Sequence, residues 1–278
     1  MPEPFGPIVS AEWLAEDLDK PDVKVIDLRW YLGESGKGRK EYEDSHIPGA
    51  VFVDLDVDIS APEGAGRHPN PSKEQFEKSM RSAGINKGDR VVAYDDAGGS
   101  VSGRLWYLLK VHGHEKVAVL DGGLQAWKGS LEESTPSVAP GSFEARDADL
   151  SGTLTYEQMR EVDTKNTILL DARAAERYLG ETEPVDPIAG HIPGAKNAEW
   201  KGNLGPDGKF LPPEELRRRY ADLGVKPGNT IAYCGSGVTS CHDLIAIELA
   251  GLGPAKLYAG SWSDWSSRPD APIATGPE

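Results

Sequence analysis

The sequence has few cysteines and a deficit of positive charge. Only 2 cysteines occur among its 278 residues, at Cys234 and Cys241. Two thiols cannot build a disulfide framework or a four-thiolate metal site, so we expect free thiols and no metal. Lys and Arg number 30 against 45 Asp and Glu, a net charge of −15. The excess of acidic over basic residues argues against nucleic acid or an anionic membrane surface as the main partner.

Long apolar runs are also missing. The hydrophobic 38% of the chain is spread over short stretches, and none has the length of a membrane-spanning helix. Residues 1–7 lack the basic and apolar regions of a signal peptide. We therefore expect a cytoplasmic protein without membrane association, long enough to form two domains that each bury a core.

The most informative feature that is present is a long internal repeat. The repeated pairs are Val25–Arg29 with Leu169–Arg173, His46–Ala50 with His191–Ala195, and Lys87–Tyr94 with Lys226–Tyr233. A period of this length indicates duplicated domains rather than a solenoid. The sequence predicts a first domain over 1–130, a linker rich in Ser, Pro and acidic residues over 131–153, and a second domain over 154–278.

Short strands alternate with helices in each copy. Strands are predicted at 23–27, 90–94 and 117–120. Ser10 is predicted to cap a first helix, and Ser72 with Gln75 a capping box for a helix that runs to about Ala83. The alternation predicts an α/β fold, with a parallel sheet flanked by helices in each domain. Sites in such sheets lie at the carboxyl ends of the strands.

A Gly-rich loop follows a predicted strand in both copies, but only the second loop carries a thiol. Tyr94 aligns with Tyr233, so Asp95 stands where the second copy has Cys234. A thiol at a strand-to-helix turn can ionise near neutral pH. Thr239 or Ser240 is expected to cap the helix that follows. The chemistry is therefore predicted in the second domain, and the first is predicted to be catalytically inactive.

Features shared by both copies are expected to serve the fold. These features are the histidines of the Pro-Gly turns, His46 and His191, and the strand-end pairs Asp27 with Arg29 and Asp171 with Arg173.

Together the paired His-Ile-Pro-Gly-Ala turns, the Asp-Gly-Gly and Tyr-Ala-Gly-Ser-Trp-Ser-Asp-Trp segments and the single cysteine loop resemble the tandem-domain rhodanese-type sulfurtransferases. Within that family, the loop 234–239 is similar to that of enzymes acting on 3-mercaptopyruvate. Thiosulfate-preferring rhodaneses usually have basic residues directly after the cysteine, where this chain has Gly235 and Ser236.

The resemblance implies a ping-pong reaction without a metal or organic cofactor. Cys234 takes sulfur from a small anionic donor, 3-mercaptopyruvate or thiosulfate, and the persulfide passes it to cyanide or to a thiol acceptor such as thioredoxin. The backbone of Gly235, Gly237, Val238 and Thr239 is then expected to bind the substrate anion.

The resemblance also implies a Ser-His-Asp relay beside the cysteine, for which Ser236, His68 and Asp56 are the best matches. Asp54 and Asp58 remain alternatives to Asp56. A histidine supplies a group that can accept the thiol proton of the donor near neutral pH.

Arg177 matches a family arginine that binds the carboxylate of the donor, and a guanidinium can do so with two parallel hydrogen bonds. A second family arginine has no counterpart in residues 183–187. Arg67 and Arg104 are the alternatives for it.

Three other readings compete. A cysteine phosphatase needs an arginine at the position of Ser240, and a zinc site would need a further ligand beside Cys234, Cys241 and His242. A non-enzymatic persulfide relay or binding module would retain Cys234 but release no product from a small donor.

Overall fold

The computed structural model describes residues 5–278; residues 1–4, on which part of the expectation about a leader rests, lie outside the described range. Contacts between Cα atoms divide the chain into two units. The first comprises the described residues up to Pro62, Asn70–Asp149 and Pro206–Lys209; the second comprises Glu63–Pro69, Leu150–Gly205 and Phe210–Glu278. Residues 63–69 therefore cluster with the second unit, although they precede most of the first in sequence.

The first unit contains one five-stranded parallel sheet in the order β1-β5-β4-β2-β3. Its strands are β1 (Ile8–Val9), β2 (Val23–Asp27), β3 (Val51–Phe52), β4 (Arg90–Tyr94) and β5 (Val117–Leu120). Its helices are α1 (Ala11–Asp17), α2 (Lys37–Asp44), α3 (Lys73–Ser82), α4 (Ser102–Val111) and α5 (Gly123–Ala126). The central strand β4 is buried from Val91 to Tyr94, which accounts for its continuous apolar sequence.

The second unit repeats this topology, with the order β6-β10-β9-β7-β8 and parallel pairing. Its strands are β6 (Thr153–Leu154), β7 (Ile168–Asp171), β8 (Ala195–Asn197), β9 (Thr230–Tyr233) and β10 (Lys256–Tyr258). Its helices are α6 (Tyr156–Arg160), α7 (Ala175–Tyr178), α8 (Pro213–Asp222), α9 (Ser240–Leu249) and α10 (Ser261–Trp265), with a 3-10 turn at Trp200–Asn203. The predicted α/β fold with two repeated parallel sheets is confirmed.

Two predicted helix caps have different outcomes. Ser10 caps α1 by accepting from the Trp13 amide, as predicted. Ser72 accepts from the Gln75 amide at the start of α3, but the predicted capping box is wrong. The Gln75 side chain donates to the carbonyls of Val57 and Ser60 instead of turning back to Ser72. Tertiary acceptors therefore take the side chain that a local motif would use.

The residues shared by the two copies make the same contacts in both. Asp27 and Asp171 are fully buried and accept paired hydrogen bonds from Arg29 and Arg173. His46 and His191 each bond through Nδ1 to a tyrosine carbonyl and stack on that tyrosine ring, Tyr42 or Tyr178. Shared contacts of this kind are those expected of residues that serve the fold, although Arg173 also donates to Glu183.

The segment predicted as a linker packs against the first unit over part of its length. Phe143 is buried, and its amide donates to the Ile85 carbonyl. The amides of Arg146 and Asp149 donate to the carbonyls of His112 and Val111. The Ser, Pro and acidic composition of this segment thus marks an extended segment that packs along the first unit.

Among residues 5–278, no helix is long and apolar enough to cross a membrane.

A buried polar network anchors α9 in the second unit. The Asn203 amide donates to Asp243 Oδ1 at 2.7 Å, and its carbonyl accepts from Tyr220 Oη and Arg219 Nε. Burial raises the pKa of Asp243 to about 7, although the Asn203 hydrogen bond and the Arg219 charge lower it. Asp243 Oδ2 is buried and has no hydrogen-bond partner within the described residues.

We expect Asp243→Asn to stabilise the protein more at pH 8 than at pH 5. Between about pH 4 and pH 7 the unfolded chain has released a proton that the folded protein retains, so the free energy of unfolding falls as pH rises. Removing the titration should recover roughly 2–4 kcal/mol at pH 8, measured by urea denaturation. An exposed control, Asp19→Asn, should change little at either pH; equal effects of Asp243→Asn at both pH values would contradict this account.

Candidate active site

The cysteine predicted as the nucleophile directly follows β9, the central strand of the second sheet. Cys234 is 3% exposed and begins a loop that leads into α9 at Ser240. The loop thus lies at the carboxyl end of a central parallel strand, where sites form in this class of sheet.

The loop is held through its carbonyl groups by the start of α10. The carbonyls of Cys234 and Gly235 accept from the amides of Trp262 and Ser263. The Cys234 amide donates to Ser261 Oγ, and Ser261 has a left-handed φ of 54°. Gly237 has a φ of 76°, and a Cβ there would lie 2.3 Å from the Ala259 carbonyl oxygen, so only glycine fits.

Several amides of this loop are not used by the fold. Within the described residues, the N–H groups of Ser236, Val238 and Thr239 donate to no protein acceptor. The expectation that a Thr239 or Ser240 side chain caps α9 is wrong, because Thr239 is the N-cap residue but its side chain makes no capping bond. The loop therefore presents unused donors beside Cys234, an arrangement that suits an anion.

The equivalent loop of the first unit has its donors filled. Its first residue, Asp95, follows the central strand β4, and the Asp95 carbonyl accepts from Leu124 in α5, as the Cys234 carbonyl accepts from α10. The Asp95 carboxylate accepts five hydrogen bonds at 2.8–3.0 Å, from the amides of Ala97, Gly99, Val101 and Ser102 and from Ser102 Oγ. The amides of this loop therefore bind the carboxylate of the loop's own first residue. The Cys234 loop has no carboxylate at the equivalent position.

Ser236 and His68 lie together in the second unit, although 168 positions separate them in sequence. Ser236 Oγ is 2.7 Å from His68 Nδ1, and both residues are buried. Of the three aspartates considered for the relay, Asp56 lies in the first unit, where its Oδ2 accepts from the Trp30 indole. Asp54 and Asp58 contact each other, because the Asp54 amide donates to Asp58 Oδ2. The choice of Asp56 stays a prediction.

Two guanidinium groups converge on the backbone at Gly235. A Cβ on Gly235 would lie 3.2 Å from Arg67 Nη2 and 3.8 Å from both Nη atoms of Arg177. Asp186 bridges the two arginines, with Arg67 Nη1 at 2.7 Å and Arg177 Nη2 at 3.1 Å from its two oxygens. The arginine side chains are 29% and 18% exposed, whereas that of Asp186 is 3% exposed. The cluster thus presents its positive groups outward.

Glu183 contacts the same cluster of arginines through its carboxylate. It accepts from Arg177 Nε and Nη2 and from Arg173 Nη1. Burial opposes ionisation of this carboxyl, but the hydrogen bonds from Arg177 and from the amides of Asp186 and Val185 lower the pKa of Glu183. The ionised Glu183 thus fixes the edge of the Arg177 guanidinium formed by Nε and Nη2.

Sequence reasoning did not identify Asp186 or Ser261, and it left Arg67 as one of two alternatives. Asp186 lies in residues 183–187, which lack the second arginine of the family. The sequence therefore indicated a missing binding residue there and gave no role to Asp186. Arg104, the other alternative, is fully buried in the first unit, where its Nη2 donates to Asn70 Oδ1. The adjacency of Arg67 to His68 was the only local signal.

The residues of the competing readings have other contacts. Cys241 Sγ donates to the Gly237 carbonyl, and the His242 ring stacks on Phe210 at 4.3 Å. Over residues 5–278, no group of three or more His, Cys, Asp and Glu side chains is placed to hold a metal ion. Ser240, at the position where a phosphatase needs arginine, is fully buried.

A family model described as the Rhodanese-like domain matches residues 10–130 and 155–268. The chain belongs to the rhodanese-like family. Each matched range contains four strands of one parallel sheet, all except its edge strand β1 or β6, so this rhodanese-like protein carries the domain twice.

Three proteins illustrate what this rhodanese-like chain is similar to. A probable 3-mercaptopyruvate sulfurtransferase of Pseudomonas aeruginosa is 44% identical, over 97% of this chain and 98% of the relative. A putative thiosulfate sulfurtransferase, SseB, of Mycobacterium tuberculosis is 39% identical, over 97% of both chains. The crystal structure of SseA from Escherichia coli, described as a 3-mercaptopyruvate sulfotransferase, has a TM-score of 0.80 and 32% identity, over 92% of this chain and 99% of that one.

The filled loop of the first unit generates a stability prediction. Asp95→Asn keeps the shape of the side chain but turns an amide NH₂ toward N–H donors, so we expect the free energy of unfolding to fall by about 2–4 kcal/mol. Urea denaturation measures the change, and the exposed Asp19→Asn again serves as control. A loss no larger than that of the control would contradict the assignment of Asp95 as the internal anion of this loop.

Proposed function

We propose that this protein is a sulfurtransferase that moves a sulfane sulfur from 3-mercaptopyruvate through a Cys234 persulfide to cyanide or a thiol acceptor. The observation that carries this proposal is the buried contact between His68 and Ser236, the second of which lies on the loop that begins with Cys234. The family membership and the high coverage of relatives named as sulfurtransferases support the reaction class.

The first half-reaction forms a sulfur–sulfur bond and breaks a carbon–sulfur bond. The Cys234 thiolate attacks the donor sulfur, and the electron pair of the broken bond remains on carbon as the enolate of pyruvate. The thiol proton of the donor leaves through Ser236 and His68, and a proton added to the enolate carbon gives pyruvate. In the second half-reaction, cyanide takes the outer sulfur as thiocyanate and restores the Cys234 thiolate.

His68 and Ser236 are suited to move this proton because their polar atoms already lie within hydrogen-bonding distance. Asp56 is the carboxylate that the resemblance implies for this relay. The Ser236 hydroxyl then links the imidazole to the donor bound at Cys234.

The carboxylate of the donor binds at Arg67 and Arg177. Their guanidinium groups meet beside Gly235, the residue that follows the nucleophile, so an anion joined to the reacting sulfur is within reach of both. Asp186 holds the two cations together and offsets their repulsion. Arg67 thereby supplies the second positive group for which residues 183–187 contain no arginine.

A preference for thiosulfate is the alternative, because some relatives carry that name. Sulfite would then leave in place of pyruvate. The absence of a basic residue at Gly235 and Ser236, and the presence of a proton-transfer pair, favour the donor that has a thiol proton to lose. Thioredoxin as the thiol acceptor is a proposal from the resemblance alone.

We expect purified protein to release pyruvate from 3-mercaptopyruvate in the presence of cyanide, and Cys234→Ser to be inert because its hydroxyl cannot hold a sulfane sulfur. Pyruvate and thiocyanate are measured together. The Cys241→Ser variant controls for general loss of a thiol and should remain active. If the wild-type protein accepts sulfur only from a protein persulfide and releases neither pyruvate nor sulfite from small donors, the chain is a relay and not the proposed enzyme.

The same assay tests the relay. Ser236→Ala should lower kcat/KM for 3-mercaptopyruvate more than for thiosulfate, since thiosulfate has no thiol proton to transfer. Equal losses with both donors would contradict the proton-transfer assignment.

Replacing Arg67 by Met tests the anion site. We expect KM for 3-mercaptopyruvate to rise roughly tenfold to a hundredfold, the effect of losing a charge-assisted hydrogen bond, with a smaller change in kcat. Arg160→Met, which removes an arginine paired with Asp270 in the same unit, is the matched control. An Arg67→Met enzyme with the KM of the control would show that Arg177 binds the donor without it.

A further inference from the structure

The filled loop of the first unit shows where an anion lies in this loop architecture. Three bonds separate the carboxylate oxygens of Asp95 from its Cα. Three bonds also separate the outer sulfur of a cysteine persulfide from the cysteine Cα. Asp95 and Cys234 occupy equivalent places, since each directly follows the central strand of its sheet and accepts through its carbonyl from a later helix, α5 or α10. Asp95 Oδ2 therefore marks the position of an outer persulfide sulfur.

One donor to Asp95 Oδ2 is a side chain. Ser102, the first residue of α4, donates from both its amide and its hydroxyl, at 2.8 Å and 3.0 Å. The hydroxyl thus contributes to the binding of this internal anion beyond what the backbone supplies.

The second unit has a serine at the same helical position. Ser240 is the first residue of α9, as Ser102 is the first residue of α4, and both side chains are fully buried. Ser240 Oγ has no hydrogen-bond partner within residues 5–278. A buried hydroxyl without a partner is costly, so this group is expected to serve an acceptor that the chain itself does not provide.

We propose that the Ser240 hydroxyl donates a hydrogen bond to the outer sulfur of the Cys234 persulfide. The inference rests on the proposed function for the origin of that sulfur. The hydroxyl stabilises the persulfide in its anionic form, together with the unused amides of Val238 and Thr239. This role accounts for the small, fully buried hydroxyl of Ser240 at the position where a phosphatase has its phosphate-binding arginine.

The test measures the persulfide itself, in wild-type protein and in Ser240→Ala. Both are loaded with inorganic polysulfide, the bound sulfur is verified by intact mass, and the pH midpoint of persulfide alkylation by iodoacetamide is recorded. Cys234→Ser reports any sulfur bound at Cys241. We expect the midpoint of Ser240→Ala to lie about half a unit to one unit higher, because the anion has lost a donor. With 3-mercaptopyruvate, kcat/KM should fall about threefold to tenfold.

Ser266→Ala is the matched control, because Ser266 Oγ is also buried without a partner but lies at the end of α10. It should leave the midpoint and kcat/KM unchanged. Before loading, the Tm of Ser240→Ala should equal or exceed that of the wild type. A lower Tm, or a wild-type midpoint in Ser240→Ala, would overturn the proposal.

Failure of the proposed function has a different signature. If the wild-type protein gains no sulfur from 3-mercaptopyruvate or thiosulfate, the sulfurtransferase assignment fails. Loading with polysulfide still allows the persulfide of the wild-type protein to be compared with that of Ser240→Ala, and this comparison decides the role of Ser240.

Discussion

The second unit depends on one constraint: the amides of a tight loop must face the same point, and something negative must meet them there. Hydrogen bonds from α10 to the carbonyls of Cys234 and Gly235 orient the loop, and the left-handed Gly237 lets it pass close to Ala259. The unused donors of this preorganised loop favour an anionic ligand, and in the proposed function that ligand is the anionic sulfur on Cys234.

The two units solve the same backbone problem in opposite ways. In the first, the Asp95 carboxylate accepts every bond that the loop offers to it, so the loop is complete without a ligand. In the second, Cys234 has a shorter side chain that cannot reach as far until it carries a second sulfur. The Asp95 side chain is one bond longer than that of Cys234 and fills its loop with a carboxylate, whereas Cys234 provides a nucleophilic thiol and reaches the same length only as a persulfide.

The sequence was sufficient for the inner strands of both sheets and for the position of the Cys234 loop, because the repeat allowed each half to be compared with the other. It was insufficient where contacts are long-range. The Gln75 side chain leaves its predicted capping box for carbonyls of Val57 and Ser60, which no local pattern indicates. The convergence of Arg67 with Arg177 depends on Asp186, 119 positions after Arg67, and a carboxylate in that segment did not resemble part of an anion site.

The permanence of the anion differs between the loops. Asp95 is encoded in the chain, so its loop has the same hydrogen bonds at every moment of the protein's life. In the proposed function, the Cys234 loop receives its anion from a donor and gives it up to an acceptor. Hydrogen bonds to the persulfide exist only in the folded loop, so in the proposed function the second unit is less stable after it gives up one sulfur and before it gains the next.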